Sequence, residues 1–212
     1  MQETGILLES ISWVMYIENM DTLAGLPILL LESQDAWEEW LDTYHAQSQG
    51  VWLKIAKKDS TIVTVSYTEA LEEALCYGWI DGQKKSYDHE VWLQKFTPRR
   101  PKSIWSKVNS DKVTQLIASG RMKPAGLKEV NVAKEDGRWD AAYESQRNFT
   151  IPDDFQAELD SNARAKAFFE TLNRQNRYAI CFRIQTAKKT VTRQARIDKF
   201  IAMLNNNEKL YP

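Results

Sequence analysis

Four short segments in the first half of the chain carry apolar runs or alternating patterns that are typical of β-strands. In chain order they are residues 26–31, 51–58, 79–85 and 91–96. The last two flank the polar stretch from Ser86 to Glu90, and this arrangement predicts a β-hairpin.

Helical patterns lie between these predicted strands. Ser33 is placed to cap a helix whose aromatic residues Trp37 and Trp40 recur at helical spacing. Ser66 followed by Glu69 forms a capping-box pattern, which predicts the start of a second helix. Strands with interleaved helices predict an α+β fold built on a small antiparallel or mixed sheet with covering helices.

The second half of the chain changes to helical periodicity after Pro98 and Pro101. Asn109 or Ser110 is the predicted cap of the first helix there. The predicted helices beyond residue 150 cover residues 155–159, 163–172, 176–184 and 191–204. We therefore predict an N-terminal extension at residues 1–24, an α+β domain at residues 25–150 and an all-helical C-terminal domain at residues 151–212.

Charge is unevenly distributed along this chain, although the net charge is only −1. Residues 1–53 contain nine acidic residues and no Lys or Arg, whereas residues 82–134 contain twelve basic and four acidic residues. Two explanations stay open: the acidic region folds against the basic one, or the basic region forms an anion-binding face.

Several classes of protein are disfavoured by the composition. No serine-hydrolase, Walker A, dinucleotide-binding or zinc-protease motif is present, and His45 and His89 are the only histidines. Cys76 and Cys181 lie in apolar stretches without metal-ligand spacing, so we predict no metal site and no cofactor. No apolar run approaches the ~20 residues of a membrane span. Unpaired cysteines and the wrong N-terminal charge for a signal peptide favour a cytoplasmic protein.

Asp81 is the candidate catalytic residue. It follows the apolar pair Trp79 and Ile80 and precedes Gly82, where a backbone can bend to admit a ligand. The alternative is a local turn residue, or an ion-pair partner of Lys84 or Arg99.

A basic segment with aromatic residues, from Lys95 to Lys107, has the most unusual composition in the chain. Arginine side chains bind phosphate with two hydrogen bonds, and aromatic faces stack on bases or sugars. The predicted ligand-binding residues are Trp79, Asp81, Lys84, Lys85, Phe96, Arg99, Arg100, Ser103, Trp105, Arg193 and Arg196. The alternative is a solvated basic loop whose aromatic residues fill the core.

Two strings in this part of the sequence resemble the YdeI/OmpD-associated, bacteriocin-protection family of bacterial proteins. They are ALCYGWIDGQKK at residues 74–85 and FTPRRPKSIWSKVN at residues 96–109, and the resemblance extends from about Leu26 to Pro212. It implies a cytosolic bacterial protein linked to bacteriocin tolerance or envelope stress, and it brings no catalytic residues with it.

Three functional hypotheses follow. The first is a non-catalytic protein that binds a phosphate-bearing ligand or nucleic acid through its basic and aromatic face. The second is a small-molecule enzyme with a pocket around Asp81, in which Arg99 or Arg100 orients an anionic substrate. The third is an interaction module, in which the acidic N-terminal region of one copy meets the basic face of another.

Overall fold

A computed structural model describes residues 21–212 and divides the chain into two compact units. The sheet unit contains residues 21–103 and 112–136 of the described chain, and the helical unit contains residues 104–111 and 137–212. Residues 1–20 of the predicted extension at residues 1–24 lie outside the described residues. The acidic residues Glu3, Glu9 and Glu18 are among them.

A five-stranded mixed sheet forms the centre of the sheet unit. Its strands are β1 (Thr22–Leu23), β2 (Leu26–Leu29), β3 (Val51–Ala56), β4 (Trp79–Ser86) and β5 (Val91–Pro98), in the order β1-β2-β3-β5-β4. Strands β2 and β3 are parallel, and the other neighbouring pairs are antiparallel. The predicted mixed sheet and its hairpin are therefore confirmed, and the fold class is α+β.

Eight helices complete the described part of the chain. They are α1 (Gln34–Tyr44), α2 (Tyr67–Cys76), α3 (Lys107–Ala118), α4 (Pro124–Glu135), α5 (Asp153–Ser161), α6 (Ala163–Thr171), α7 (Arg174–Gln185) and α8 (Thr190–Asn205). Within residues 21–212, no helix has the length and apolar character needed to cross a membrane.

Local hydrogen bonds fix the starts of the helices as the sequence predicts. The Ser33 hydroxyl accepts a hydrogen bond from the Ala36 amide at 3.1 Å, and Ser66 forms a complete capping box with Glu69. The cap of α3 differs from the prediction, because Ser106 accepts the hydrogen bond from the Asn109 amide at 3.2 Å. Neither Asn109 nor Ser110 precedes the helix, which already begins at Lys107.

An aromatic cluster packs α1 against one face of the sheet. Trp37 stacks on Trp40 with ring centroids 5.2 Å apart, and it meets the rings of Trp79 and Phe96 at 6.3 and 5.8 Å. All four residues are buried. Burial of these large rings is the main apolar contribution on this face of the sheet.

The opposite face of the sheet has a smaller apolar cluster. Ile28, Trp52 and Leu93 pack together, with Leu23 and Leu26 against them. The indole N–H of Trp52 donates to the Leu23 carbonyl at 3.0 Å, which ties the β1–β2 turn to the sheet.

Helix α4 passes so close to the end of α2 that only glycine fits at residue 126. A Cβ atom there would lie 2.2 Å from the Cys76 carbonyl oxygen and 2.8 Å from its carbonyl carbon. Gly126→Ala is expected to destabilise the protein by about 1–3 kcal/mol through overpacking. Alanine would otherwise favour an exposed helix by about 1 kcal/mol.

Urea denaturation of the Gly126→Ala variant tests this contact. The control is Asn131→Ala on the exposed side of the same helix, where stability should stay the same or rise slightly. Equal stabilities of the two variants would contradict the close approach.

Helices α5 to α8 enclose a separate core in the helical unit. Its buried apolar residues are Phe155, Leu159, Ala165, Phe169, Leu172, Ile180, Cys181, Ile184, Ile197, Phe200 and Leu204. The predicted all-helical C-terminal region is confirmed, since each of its four predicted segments overlaps one of these helices.

Candidate functional site

Three lysines share the sheet face that lies opposite α1 and α2. Strand register places Lys85 opposite Leu93 and Leu93 opposite Lys54, while Lys95 lies opposite Trp52. Directly paired residues of antiparallel strands project from the same face. Lys54, Lys85 and Lys95 therefore lie around the buried side chains of Trp52 and Leu93 on that face.

These three lysines carry no ion pair within the described chain. The Lys95 ammonium lies 5.9 Å from the Trp52 ring centroid, and the Lys54 ammonium lies 5.0 Å from that of Tyr87. Lys85 is exposed. Lysines that rest on aromatic rings keep their charged ends near solvent, so this face presents positive charge.

A β-bulge between Asp81 and Lys84 determines the sheet face from which Lys84 and Lys85 each project. The register shifts at this point, and the side-chain amide of Gln94 donates to the Gly82 carbonyl at 3.1 Å. Beyond the bulge, Lys84 projects from the helix-covered face, where its ammonium lies 3.9 Å from the Trp92 ring centroid. Lys84 and Lys85 are therefore on opposite faces of β4.

Asp81 accepts a hydrogen bond from the Tyr67 hydroxyl at 2.9 Å. Burial, and then the neighbouring Asp81 carboxylate, raise the pKa of Tyr67 well above its usual value. The phenol therefore stays protonated and holds Asp81 as an acceptor. A catalytic role for Asp81 remains a prediction.

Arg99, Arg100 and Ser103 form a tight loop after β5. Arg99 is buried, and its amide donates to the Gly78 carbonyl at 3.0 Å. The Ser103 hydroxyl accepts a hydrogen bond from the Arg100 amide at 3.1 Å, so its oxygen closes the loop. Arg100 is the exposed arginine of the pair.

The aromatic residues predicted to stack on a ligand are buried instead. Trp79, Phe96 and Trp105 are 1%, 0% and 2% exposed. Trp79 and Phe96 belong to the aromatic cluster of the sheet unit, and Trp105 packs edge-on against Trp139 with centroids 4.9 Å apart. In this structure their ring faces contact protein, because large apolar rings gain most by leaving water.

Arg193 and Arg196 bind groups within the helical unit. Arg193 forms two hydrogen bonds with the Asp154 carboxylate, at 2.5 and 2.8 Å. These hydrogen bonds hold the pKa of Asp154 below its usual value. Arg196 donates to the carbonyl oxygen of Arg183.

Other basic residues of the middle region pair with carboxylates. Lys112 binds Glu72, Arg121 binds Glu72 and Glu73, and Lys123 binds Glu38. Glu38 belongs to the acidic N-terminal region, so its pair with Lys123 is one contact between the two oppositely charged segments. These three cations are neutralised locally, unlike the lysines of the sheet face.

The histidines and cysteines do not form a metal site in the described chain. No three His, Cys, Asp or Glu side chains of residues 21–212 lie close enough together to hold a metal ion. Cys76 and Cys181 are unpaired and buried, and burial raises the pKa of both thiols to about 12. Both thiols therefore stay protonated and unreactive at neutral pH.

Lys54 and Lys95 were absent from the predicted site although they share a face with Lys85. The alternation in residues 51–58 places Lys54 on the same face as Trp52, and Lys95 is the first residue of the basic segment at residues 95–107. Whether Lys95 of β5 projects from the same face as Lys54 of β3 depends on the register between the two strands. Short-range sequence patterns do not reveal that register.

Comparison with known families assigns the two halves of the chain differently. Residues 148–207 match the family described as "Bacteriocin-protection, YdeI or OmpD-Associated", which confirms the predicted resemblance for that region. Residues 29–129, which contain both strings quoted for the resemblance, match "Domain of unknown function (DUF8412)". Searches of curated proteins and of solved structures gave no match.

Proposed function

We propose that this chain, whose residues 148–207 match the YdeI/OmpD-associated, bacteriocin-protection family, is a non-catalytic binding protein for an extended polyanion such as nucleic acid. The observation that supports this function best is the sheet face with three lysines and no ion pair to neutralise them within the described residues. Protection against a bacteriocin would then act through this binding.

The spacing of the positive charges favours an extended ligand over a compact one. Lys85 is level with Leu93 on the neighbouring strand, and Arg100 follows the end of that strand at Pro98. Five residues of β-strand span about 17 Å. Lys95 lies between these two levels, so the charges follow the length of the hairpin as phosphates follow a nucleic-acid strand.

Each of these lysines is a weak binding group by itself. Exposed charges attract an anion by only a fraction of a kcal/mol in water, and salt screens them. A polyanion that contacts several of them releases its counterions, which makes the affinity strongly salt-dependent. We therefore expect non-specific binding that weakens steeply as salt rises.

The test measures fluorescence anisotropy of a labelled single-stranded oligonucleotide, with a duplex of the same sequence and inorganic polyphosphate as competitors. The double variant Lys85→Gln/Lys95→Gln should weaken binding of every sequence. The slope of log K against log salt should fall by about 1 for each lysine removed. Lys128→Gln, an exposed lysine of α4, is the matched control and should keep the wild-type slope.

The competitors identify the kind of polyanion. Displacement by polyphosphate as readily as by oligonucleotide would assign the site to phosphate charge alone, whereas preference for single strands would indicate contacts with bases. Unchanged affinity and slope in the double variant would refute the proposal, as would an equal loss in Lys128→Gln.

A cytoplasmic location is part of this proposal. Cys76 and Cys181 are both free thiols and lie in different units. Unpaired, buried thiols suit a reducing compartment, in which nucleic acid is also accessible.

A further inference from the structure

A small pocket in the helical unit lies beside α7. Its volume is about 340 Å³, and its walls include Gln146, Gln175, Tyr178, Phe182, Arg183 and Tyr211. This volume is at the small end of the range for ligand sites in proteins. None of the residues that line it is among the ligand-binding residues predicted from the sequence.

Aromatic rings form one wall and are held in place by their neighbours. Tyr178 and Phe182 pack with centroids 5.7 Å apart, and Tyr143 packs edge-on against Phe182 at 4.9 Å. The Tyr178 hydroxyl donates to the Glu144 carbonyl at 3.3 Å. A wall of this kind offers a planar ligand a preformed apolar surface.

Arg183 is the only charged residue among the described residues that line the pocket. One of its terminal nitrogens, Nη2, donates to the Tyr211 hydroxyl at 3.3 Å, and its guanidinium lies 5.8 Å from the Tyr211 ring centroid. The other nitrogen, Nη1, is buried and has no hydrogen-bond partner within the described chain. A partly buried guanidinium without a carboxylate partner is stabilised when an anion binds it.

Tyr211 is held over Arg183 by a buried amide. The Asn176 side-chain oxygen accepts hydrogen bonds from the backbone amides of Leu210 and Tyr211, at 3.0 and 2.9 Å. Its side-chain nitrogen donates to the Tyr211 carbonyl at 3.3 Å. The backbone at Tyr211 is thus fixed, and its ring is positioned as the second aromatic wall.

We propose that this pocket binds a small molecule that carries one anionic group on an aromatic ring. Arg183 pairs with the anion, while Tyr178, Phe182 and Tyr211 contact the ring. A single positive charge with no acidic lining residue selects a carboxylate or a phosphate monoester over a cation or a neutral ring. This site is separate from the polyanion-binding face in its residues, its unit and its ligand.

NMR titration of the full chain with simple probes tests the proposal. Benzoate and phenyl phosphate are the aromatic anions, benzyl alcohol is the neutral ring, and acetate is the anion without a ring. The aromatic anions should shift the amide signals of Gln146, Gln175 and Ala179 and bind more tightly than either control. The stronger of the two identifies carboxylate or phosphate as the preferred group.

Variants assign the anion contact to Arg183. Arg183→Gln should weaken the aromatic anions roughly tenfold or more, because it removes a charge-assisted hydrogen bond. Arg183→Lys should retain part of the affinity, and Arg164→Gln, the same change at an exposed arginine of α6, should retain all of it.

Three results would overturn the proposal. They are benzyl alcohol binding as tightly as benzoate, unchanged affinity in a folded Arg183→Gln variant, and wild-type shifts that fall outside the pocket. The last result needs no variant, so the proposal stays testable if Arg183→Gln fails to fold.

Discussion

Replacement of Trp37 by alanine is expected to lower the free energy of unfolding of the sheet unit by about 3–5 kcal/mol. Trp37 is fully buried, and its ring contacts Trp40, Trp79 and Phe96. Its indole N–H also donates to the Ala70 carbonyl of α2 at 3.0 Å. The substitution therefore creates a cavity and removes a hydrogen bond to a buried carbonyl.

Chemical denaturation followed by circular dichroism measures this loss. Ile117→Ala is the matched control, because Ile117 is 39% exposed on α3 and should cost no more than about 0.5 kcal/mol. If Trp37→Ala and Ile117→Ala had equal effects, the aromatic cluster would not be the centre of the core.

Features that depend on neighbouring residues were predicted well from the sequence. The Ser33 cap and the Ser66 capping box each involve residues within one helical turn. The β4–β5 hairpin also follows from the polar turn between its strands. Local preference and tertiary structure agree at these positions, as is usual in natural sequences.

Features that depend on the register between strands, or on the pairing of very short strands, were not predicted. The bulge between Asp81 and Lys84 separates Lys84 and Lys85 by a register shift that no local motif marks. Strand β1 contains two residues and exists through its pairing with β2. The position of α3 was wrong by about one turn at its start, because three residues near it are plausible caps and only Ser106 is used.

The candidate site also combines features that the sequence predicts with features that only the tertiary structure reveals. Lys85 and Arg100, which the charge pattern predicts as ligand-binding residues, are exposed, and their binding role stays a prediction. The sequence predicts Trp79 and Phe96 as stacking groups, but both rings are buried in the structure. Removing their apolar surface from water is more favourable than exposing it for a ligand. In α7, Tyr178 and Phe182 have the i, i+4 spacing of a core stripe, so nothing local marks them as a pocket wall.

Arg121→Met is the second substitution expected to have a large effect, a loss of about 3–5 kcal/mol. Arg121 bridges two carboxylates of α2: its Nη1 lies 3.0 Å from Glu72, and its Nη2 binds Glu73. Glu73 is only 3% exposed, and its other side-chain partner is the uncharged amide of Gln34. Removal of Arg121 therefore leaves a buried carboxylate without a counter-ion, which costs far more than the loss of a surface ion pair.

A second change in the same protein separates this cause from a simple loss of contacts. In the double variant Arg121→Met/Glu73→Leu, the buried carboxylate is gone and both side chains are apolar, so most of the lost stability should return. The control is Lys107→Met, which breaks an exposed ion pair in which the Lys107 nitrogen lies 3.3 Å from an Asp111 oxygen. This substitution should lower the free energy of unfolding by no more than about 0.5 kcal/mol. If the double variant is no more stable than Arg121→Met, the loss comes from packing and not from the charge of Glu73. Recovery would show that the ion pair of Arg121 with Glu73 serves to neutralise a buried carboxylate of the fold.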